Sequence, residues 1–193
     1  MAITDDFNRA SLGSNWETVL GSAWQITNNA AAPSGLLATT AMRRAEGNFA
    51  ADQYAQAKCL VVSAFAGDSS RGGVAVRLDA LGNGYYWLLS LTDVSLWKRV
   101  AGVSTQIGTV AGAKTSGTYY TLKLVVNGSS LACYLNEVLI LTISNSHLVT
   151  GKPGLFAVMG LSALPFDDFE CTEEIVASMG GGSVARAGLL GVG

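Results

Sequence analysis

Apolar and polar residues alternate with a period of two along much of this 193-residue chain. That period puts successive side chains on opposite faces of a half-buried strand. Residues 121–126 run into Asn127-Gly128, a dipeptide that favours a tight hairpin turn. The return stretch, 131–135, reaches a second turn at Asn136-Glu137, and 138–143 forms the next strand. Residues 53–64, 73–78 and 85–91 read alike, with Gly82-Asn83-Gly84 turning the chain between the last two. Residues 94–100, 105–110, 154–159 and 165–173 complete the series. Such recurrence, with turn signals every roughly 8–12 residues, predicts an antiparallel sandwich or barrel. No long amphipathic helix interrupts it, and 144–148 is expected to make a single turn at most. Two near-identical tripeptides bracket the series: Asp5-Asp6-Phe7 and Asp167-Asp168-Phe169. They predict that the first and last strands lie side by side, with carboxylates clustered where they meet.

Length and composition sharpen this picture. A chain of this size suits one β domain, since sandwiches often run to about 200 residues undivided. Hydrophobic residues make up 49% of it and charged residues 13%, against about 25% charged in ordinary globular proteins. With a mean hydropathy of +0.34, either the core is large and two-sheeted or other subunits cover part of the surface. The net charge of −2 argues against a nucleic-acid partner, which would need a basic stripe. Arg43-Arg44 and Lys98-Arg99 read as isolated pairs on solvated strand edges. No basic-led apolar segment marks a signal peptide, and no apolar run reaches the roughly 18 residues of a membrane span. Synthesis and assembly in a cytoplasm, without a membrane, are the expectation. Cys59, Cys133 and Cys171 lack metal-site spacing, and Cys59 and Cys133 fall in strand-like runs as small buried hydrophobes.

Several stretches, taken in order, carry a resemblance. Asp5-Asp6-Phe7-Asn8-Arg9 leads into Leu12-Gly13-Ser14-Asn15-Trp16, then Trp24-Gln25-Ile26-Thr27-Asn28-Asn29. Later come Gly73-Val74-Ala75-Val76-Arg77-Leu78, Gly84-Tyr85-Tyr86, Leu131-Ala132-Cys133-Tyr134-Leu135-Asn136, Gly154-Leu155 and Phe166-Asp167-Asp168-Phe169. This set resembles concanavalin A-like jelly rolls, particularly laminin-G-like domains of the kind found in virion proteins of tailed bacteriophages. The resemblance implies an all-β, two-sheet antiparallel jelly-roll sandwich over residues 1–174, with Trp16 and Trp24 in its framework. It also implies a function among three: glycan-binding lectin, glycoside hydrolase, or structural virion module. Fold alone does not choose. Residues 175–193 lie outside it: a Gly-rich, apolar C-terminal segment that reads either as a frayed terminus or as an arm in which Val184, Leu189, Leu190 and Val192 would dock on a neighbouring subunit.

Catalysis is not expected. Hydrolases of this kind carry acids alternating along one strand, so that residues i and i+2 share a face and flank one glycosidic bond. Here Asp167 and Asp168 are adjacent, as are Glu173 and Glu174, and adjacent strand residues face opposite ways. His147, the only histidine, reads as a loop residue. The resemblance places a structural Ca²⁺ where the terminal strands meet, with Asp6 and Asp167 as the matching positions; the alternative is that both only cap strands and turns. For glycan stacking the candidates are Arg77, Tyr86 and Trp97, each offset by one from the apolar set Val76/Leu78, Trp87 and Leu96. Trp87 and Tyr134 join them if the face assignment shifts by one residue.

The expectation is therefore a non-enzymatic structural virion protein of a tailed phage, a decoration or tail-associated module. Its partners would be other virion proteins and copies of itself. The alternative is a glycan-binding adhesion module whose partner is a host or environmental polysaccharide.

Overall fold

A computed structural model describes residues 2–62, 69–159 and 164–172. The strands in chain order begin with β1 (Ile3–Asp5), β2 (Trp16–Leu20), β3 (Trp24–Thr27), β4 (Ala30–Pro33) and β5 (Thr39–Arg44). There follow β6 (Gln53–Val61), β7 (Arg71–Leu78), β8 (Gly84–Leu89), β9 (Asp93–Val100) and β10 (Val103–Ala111). The last five are β11 (Thr118–Asn127), β12 (Ser130–Leu135), β13 (Val138–Ser144), β14 (Lys152–Val158) and β15 (Phe166–Cys171). They form two antiparallel sheets packed as a jelly-roll sandwich, and no helix occurs among the described residues. The first sheet runs β13-β12-β11-β6-β15-β4-β3, with β1 also paired to β15; the second runs β10-β9-β8-β7-β14-β5-β2.

Turn chemistry explains the short connections. Asn28-Asn29, Ala101-Gly102 and Asn136-Glu137 each place both central residues at positive φ, the geometry whose twist matches paired strands. At the β11–β12 hairpin the centre is Gly128-Ser129, because Asn127 pairs with Ser130 in the ladder. The expected Asn-Gly turn is thus displaced by one residue. The predicted turn near 144–148 is a bend, held where Asn145 Oδ1 accepts from the Tyr85 hydroxyl at 2.7 Å and from the His147 amide.

Between the sheets, alternate residues interdigitate. Ala55, Ala57, Cys59 and Val61 of β6 and Leu122, Leu124 and Val126 of β11 face Val74 and Val76 of β7, Tyr85, Trp87 and Leu89 of β8, and Leu96 of β9. Trp16 and Trp24 belong to this core, as the framework positions implied. All three cysteines are buried, and no disulfide joins them. Burial pushes the Cys59 and Cys133 thiols up to about 12, so neither is a ready nucleophile.

The brackets meet as predicted: β1 pairs β15 with Asp5 opposite Phe169. Asp5 is the buried member of its acidic pair. Arg9 donates to both of its oxygens, at 2.5 and 2.8 Å, Trp16 Nε1 at 2.7 Å and the Phe7 amide at 2.9 Å. Trp16 in turn packs its ring edge-on against Phe169, 4.8 Å between centroids, with Phe7 on another side at 5.6 Å. Burial works against the Asp5 charge, but the bonds from Arg9, Trp16 and Phe7 outweigh it and hold the carboxyl below its ordinary value.

A second polar node closes the opposite margin. Arg77 sits at a bulge in β7, with φ of 52°, opposite a register shift in β14. The bulge turns its side chain inward, against the strand's alternation. Its guanidinium donates to the carbonyls of Ala51, Leu148 and Gly128 at 2.9, 2.6 and 2.9 Å, tying three loops together. Gly151 is required beside it, since a Cβ there would fall 2.2 Å from the Arg77 carbonyl carbon.

The arginine pairs are not edge residues. β5 lies between β14 and β2, and β9 between β10 and β8. Arg43 pairs with Glu17 at 2.6 Å, and Arg44 is buried with its guanidinium 5.3 Å from the Trp16 ring.

Replacing Asp5 by Ala should cost about 3 kcal/mol, since it strands a guanidinium and an indole N–H, read as a fall in the urea midpoint with an unchanged slope. A carboxyl depressed in the folded state contributes stability that is complete above its unfolded pKa near about 4 and is lost as pH falls through the lower folded value. The gap between wild type and Asp5→Ala should therefore narrow below about pH 4. Arg77→Met should destabilise by about 3 kcal/mol or more in the same assay, because three carbonyls lose a charged donor.

Candidate functional site

The outward face of the second sheet carries a second apolar cluster: Ala41, Ala75, Leu78, Tyr86, Leu88 and Phe156. Its geometry follows from register. One cross-strand row reads Gln106, Trp97, Tyr86, Ala75, Gly154 from β10 to β14; in the next, Leu88 and Phe156 both lie beside Gly73. β8 and β14 are separated by β7, so their side chains ordinarily stand roughly 9–10 Å apart. Because β7 offers only Gly73 and Ala75 between them, the Tyr86 and Phe156 rings lean over it and stack at 3.9 Å and 22°. A Cβ at Gly73 would lie 1.9 Å from the Trp87 carbonyl oxygen, and one at Gly154 2.2 Å from that of Met42. Glycine is demanded at both.

These rings floor a groove of about 460 Å³. Trp97, Arg99, Ser104 and Gln106 line one side of it and Thr39 and Val158 contribute from the other, with Ser69 and Arg71 completing the lining. Trp97 is half-buried; its Nε1 donates to Ser95 Oγ at 2.9 Å, which also receives Arg71 at 3.3 Å. The Arg71 guanidinium lies 5.7 Å from the Trp97 ring centroid and 3.9 Å from Asp93. Arg99 stands close enough to the Tyr86 phenol to oppose the rise that burial imposes on it. Among the described residues no carboxylate lines the groove.

Of the residues expected to stack on a glycan, Tyr86 and Trp97 are brought together as register partners and Arg77 is not. Arg77 is spent on the loop carbonyls at the sandwich margin. Tyr86 lies beneath the groove: its ring is 0% exposed and its hydroxyl is bonded to the Gly82 carbonyl. Trp97 is the member of the three with surface to offer. Trp87 points into the core and donates to the Tyr134 carbonyl. Arg71, Arg99, Ser104 and Gln106 were not anticipated. The signal for Arg99 was present, since it lies two residues beyond Trp97 and therefore shares its face.

A larger depression, about 620 Å³, lies on the first sheet near Asp5, Asp6, Arg9, Lys58, Asp168 and Glu170. Its charges already answer one another. Lys58 meets Asp168 at 2.6 Å, Arg9 holds Asp5, and Glu170 accepts from the Tyr54 hydroxyl at 2.5 Å. Asp6 accepts from the backbone and side-chain nitrogens of Asn8, which lower its pKa. Burial, with the charges of Asp168 and Asp6, raises that of Asp167, whose Oδ1 accepts from the Asp168 amide. Asp6 and Asp167 thus sense each other, but no group of three or more His, Cys, Asp or Glu among the described residues is arranged to hold a metal. Calcium takes about six to eight oxygens, so a site at Asp6 and Asp167 would have to draw most of them from backbone carbonyls and water. The arm residues Val184, Leu189, Leu190 and Val192 lie outside the described residues.

No protein-family model matches the chain, and no curated protein sequence does. Solved structures do match in fold. A carbohydrate-binding module, CBM66 from Bacillus subtilis, superposes with a TM-score of 0.71 at 18% identity, covering 83% of this chain and 96% of that one. The apo Crh5 transglycosylase gives 0.64 at 12% identity over 89% and 84% of the two chains. The potassium-bound carbohydrate recognition domain of Emp46p gives 0.63 at 10% identity over 84% and 90%. At these identities the likeness establishes the sandwich fold, and none of these three neighbours points to a virion role.

Proposed function

We propose that the domain is a non-catalytic carbohydrate-binding module that holds a glycan in the outward groove of its second sheet. The groove itself carries this reading: a half-buried indole beside an apolar floor, rimmed by side chains that donate and accept hydrogen bonds. Sugar recognition uses those two elements together, an apolar platform for the ring face and a few placed polar groups for its hydroxyls. The likeness in fold to the CBM66 carbohydrate-binding module and the Emp46p carbohydrate recognition domain supports the same reading by analogy. Hydrolysis or transglycosylation would need a pair of carboxyl groups about 5–10 Å apart across the bond, and no described residue of the groove supplies one.

The order of readings drawn from the sequence is thereby reversed. Assembly into a phage virion through residues 175–193, in a host cytoplasm, rests on the family resemblance and on a segment outside the described residues. Polysaccharide binding rests on side chains whose positions are described.

Affinity electrophoresis through gels containing a panel of soluble polysaccharides tests the proposal. At least one should retard the wild-type protein. Trp97→Ala should weaken that retardation about tenfold or more, and Gln106→Ala should weaken it less. Both should keep the wild-type melting temperature to within a few degrees, as substitutions at a solvent-facing rim. Retardation that survives both substitutions would place the sugar elsewhere.

A further inference from the structure

The groove is cationic in a protein whose net charge is −2. Arg71 and Arg99 line it and, among the described residues, no acidic residue does. The two arginines are not equivalent. Arg71 is engaged by Ser95, by the Trp97 ring and loosely by Asp93. The Arg99 guanidinium has no hydrogen bond or ion pair to another described residue, and its Nε, like that of Arg44, is shut off from solvent without an acceptor among the described residues. Buried donors are ordinarily satisfied, and an exception calls for a functional or structural reason. Neither Asp79 nor Asp93 supplies an acceptor. Asp79 accepts from the amides of Leu81 and Asn83 and from the Asn83 side chain, all at 2.8 Å, and Asp93 stands beside Arg71.

Spacing adds the second element. Trp97 and Arg99 are residues i and i+2 of β9, so they share a face about 7 Å apart. That separation suits a pyranose ring resting on the indole with a ring substituent reaching the guanidinium. A planar fork of donors matches a planar carboxylate in two parallel hydrogen bonds, which a neutral hydroxymethyl group cannot reproduce.

Resting on the proposal that this groove binds glycan, we propose that its ligand is an acidic polysaccharide, with Arg99 pairing the carboxylate of a uronic acid whose ring lies on the part of Trp97 that Arg71 leaves open. Arg71 supplies a second positive charge at the other flank of the indole. The partly buried setting keeps the attraction from being wholly screened at physiological salt.

The test uses the full chain and three polyuronates (polygalacturonate, alginate and hyaluronate), each against its methyl ester, with dextran sulfate and neutral dextran alongside. Binding is read by isothermal titration. At least one polyuronate should bind about tenfold or more tighter than its ester, because the ester keeps the sugar and removes the charge. Arg99→Gln should abolish that preference while leaving residual affinity for the ester and an unchanged melting temperature. Arg99→Lys should restore only part of it, as a point charge replaces the fork. Equal affinity for every acid and its ester would overturn the inference, and so would a preference that survives Arg99→Gln. Dextran sulfate bound as tightly as the best polyuronate, with the same dependence on Arg99, would also overturn it, showing a groove that reads charge rather than carboxylate. Trp97-dependent binding of neutral dextran or of esters without an acid preference would sink this inference and leave the module's glycan binding standing. No binding to any polymer of the set would sink both.

Discussion

The near absence of side chains at two successive outward positions of β7 governs the grooved face of the molecule. Gly73 and Ala75 let rings from strands that are not neighbours meet above the strand between them. The Tyr86–Phe156 stack is therefore a floor laid across three strands rather than a ladder along one pair. It fixes the depth of the groove and places Trp97 at its lip. A larger residue at either position would part the rings, and at Gly73 or Gly154 the backbone of the adjoining strand forbids one outright. Apolar packing on this face is as tight as in the core, with Tyr86 and Leu88 at 0% and 1% exposure. Much of the high hydropathy of the chain thus sits in two layers, one between the sheets and one on an outward face.

Charge is scarce in this protein, and most of what there is works internally. Asp5 with Arg9, Glu17 with Arg43 and Arg77 with its three carbonyls each tie segments distant from one another or close a loop on itself. Such groups are costly to bury and justify themselves only when their donors and acceptors are filled, as they are here. Against that background Arg44 and Arg99 stand apart, and of the two Arg99 lines the groove while Arg44 is buried against Trp16.

Strands from Gln53 onward were legible because they are long enough for a period of two to repeat. β1 and β4 were not: one spans three residues, and the other is a run of small residues buried on both faces, which carries no alternation. The last pairing was legible by another route, from the repeated acidic tripeptide, though which aspartate is buried was not. Periodicity failed at Arg77 because a bulge at positive φ reverses the face of a residue and leaves no mark in a hydrophobic pattern. It failed at Arg99 for a different reason. A basic dipeptide looks the same on an edge strand as on one flanked by partners, and strand order is a long-range property. The Asn127-Gly128 signal located its hairpin but not the central residues, since ladder register settled those.

The pairing of Ile3 with Cys171 has a mechanical consequence. The two strands are antiparallel and their outer ends are neighbours. A pull applied through both flanking segments would open this ladder one rung at a time, like a zipper, instead of shearing its bonds together. The first obstacle to such peeling is the Asp5 cluster, where a carboxylate, a guanidinium, an indole and the ring of Phe169 must separate in one event. Resistance to force along the chain is therefore concentrated at a single polar knot three residues inside the seam.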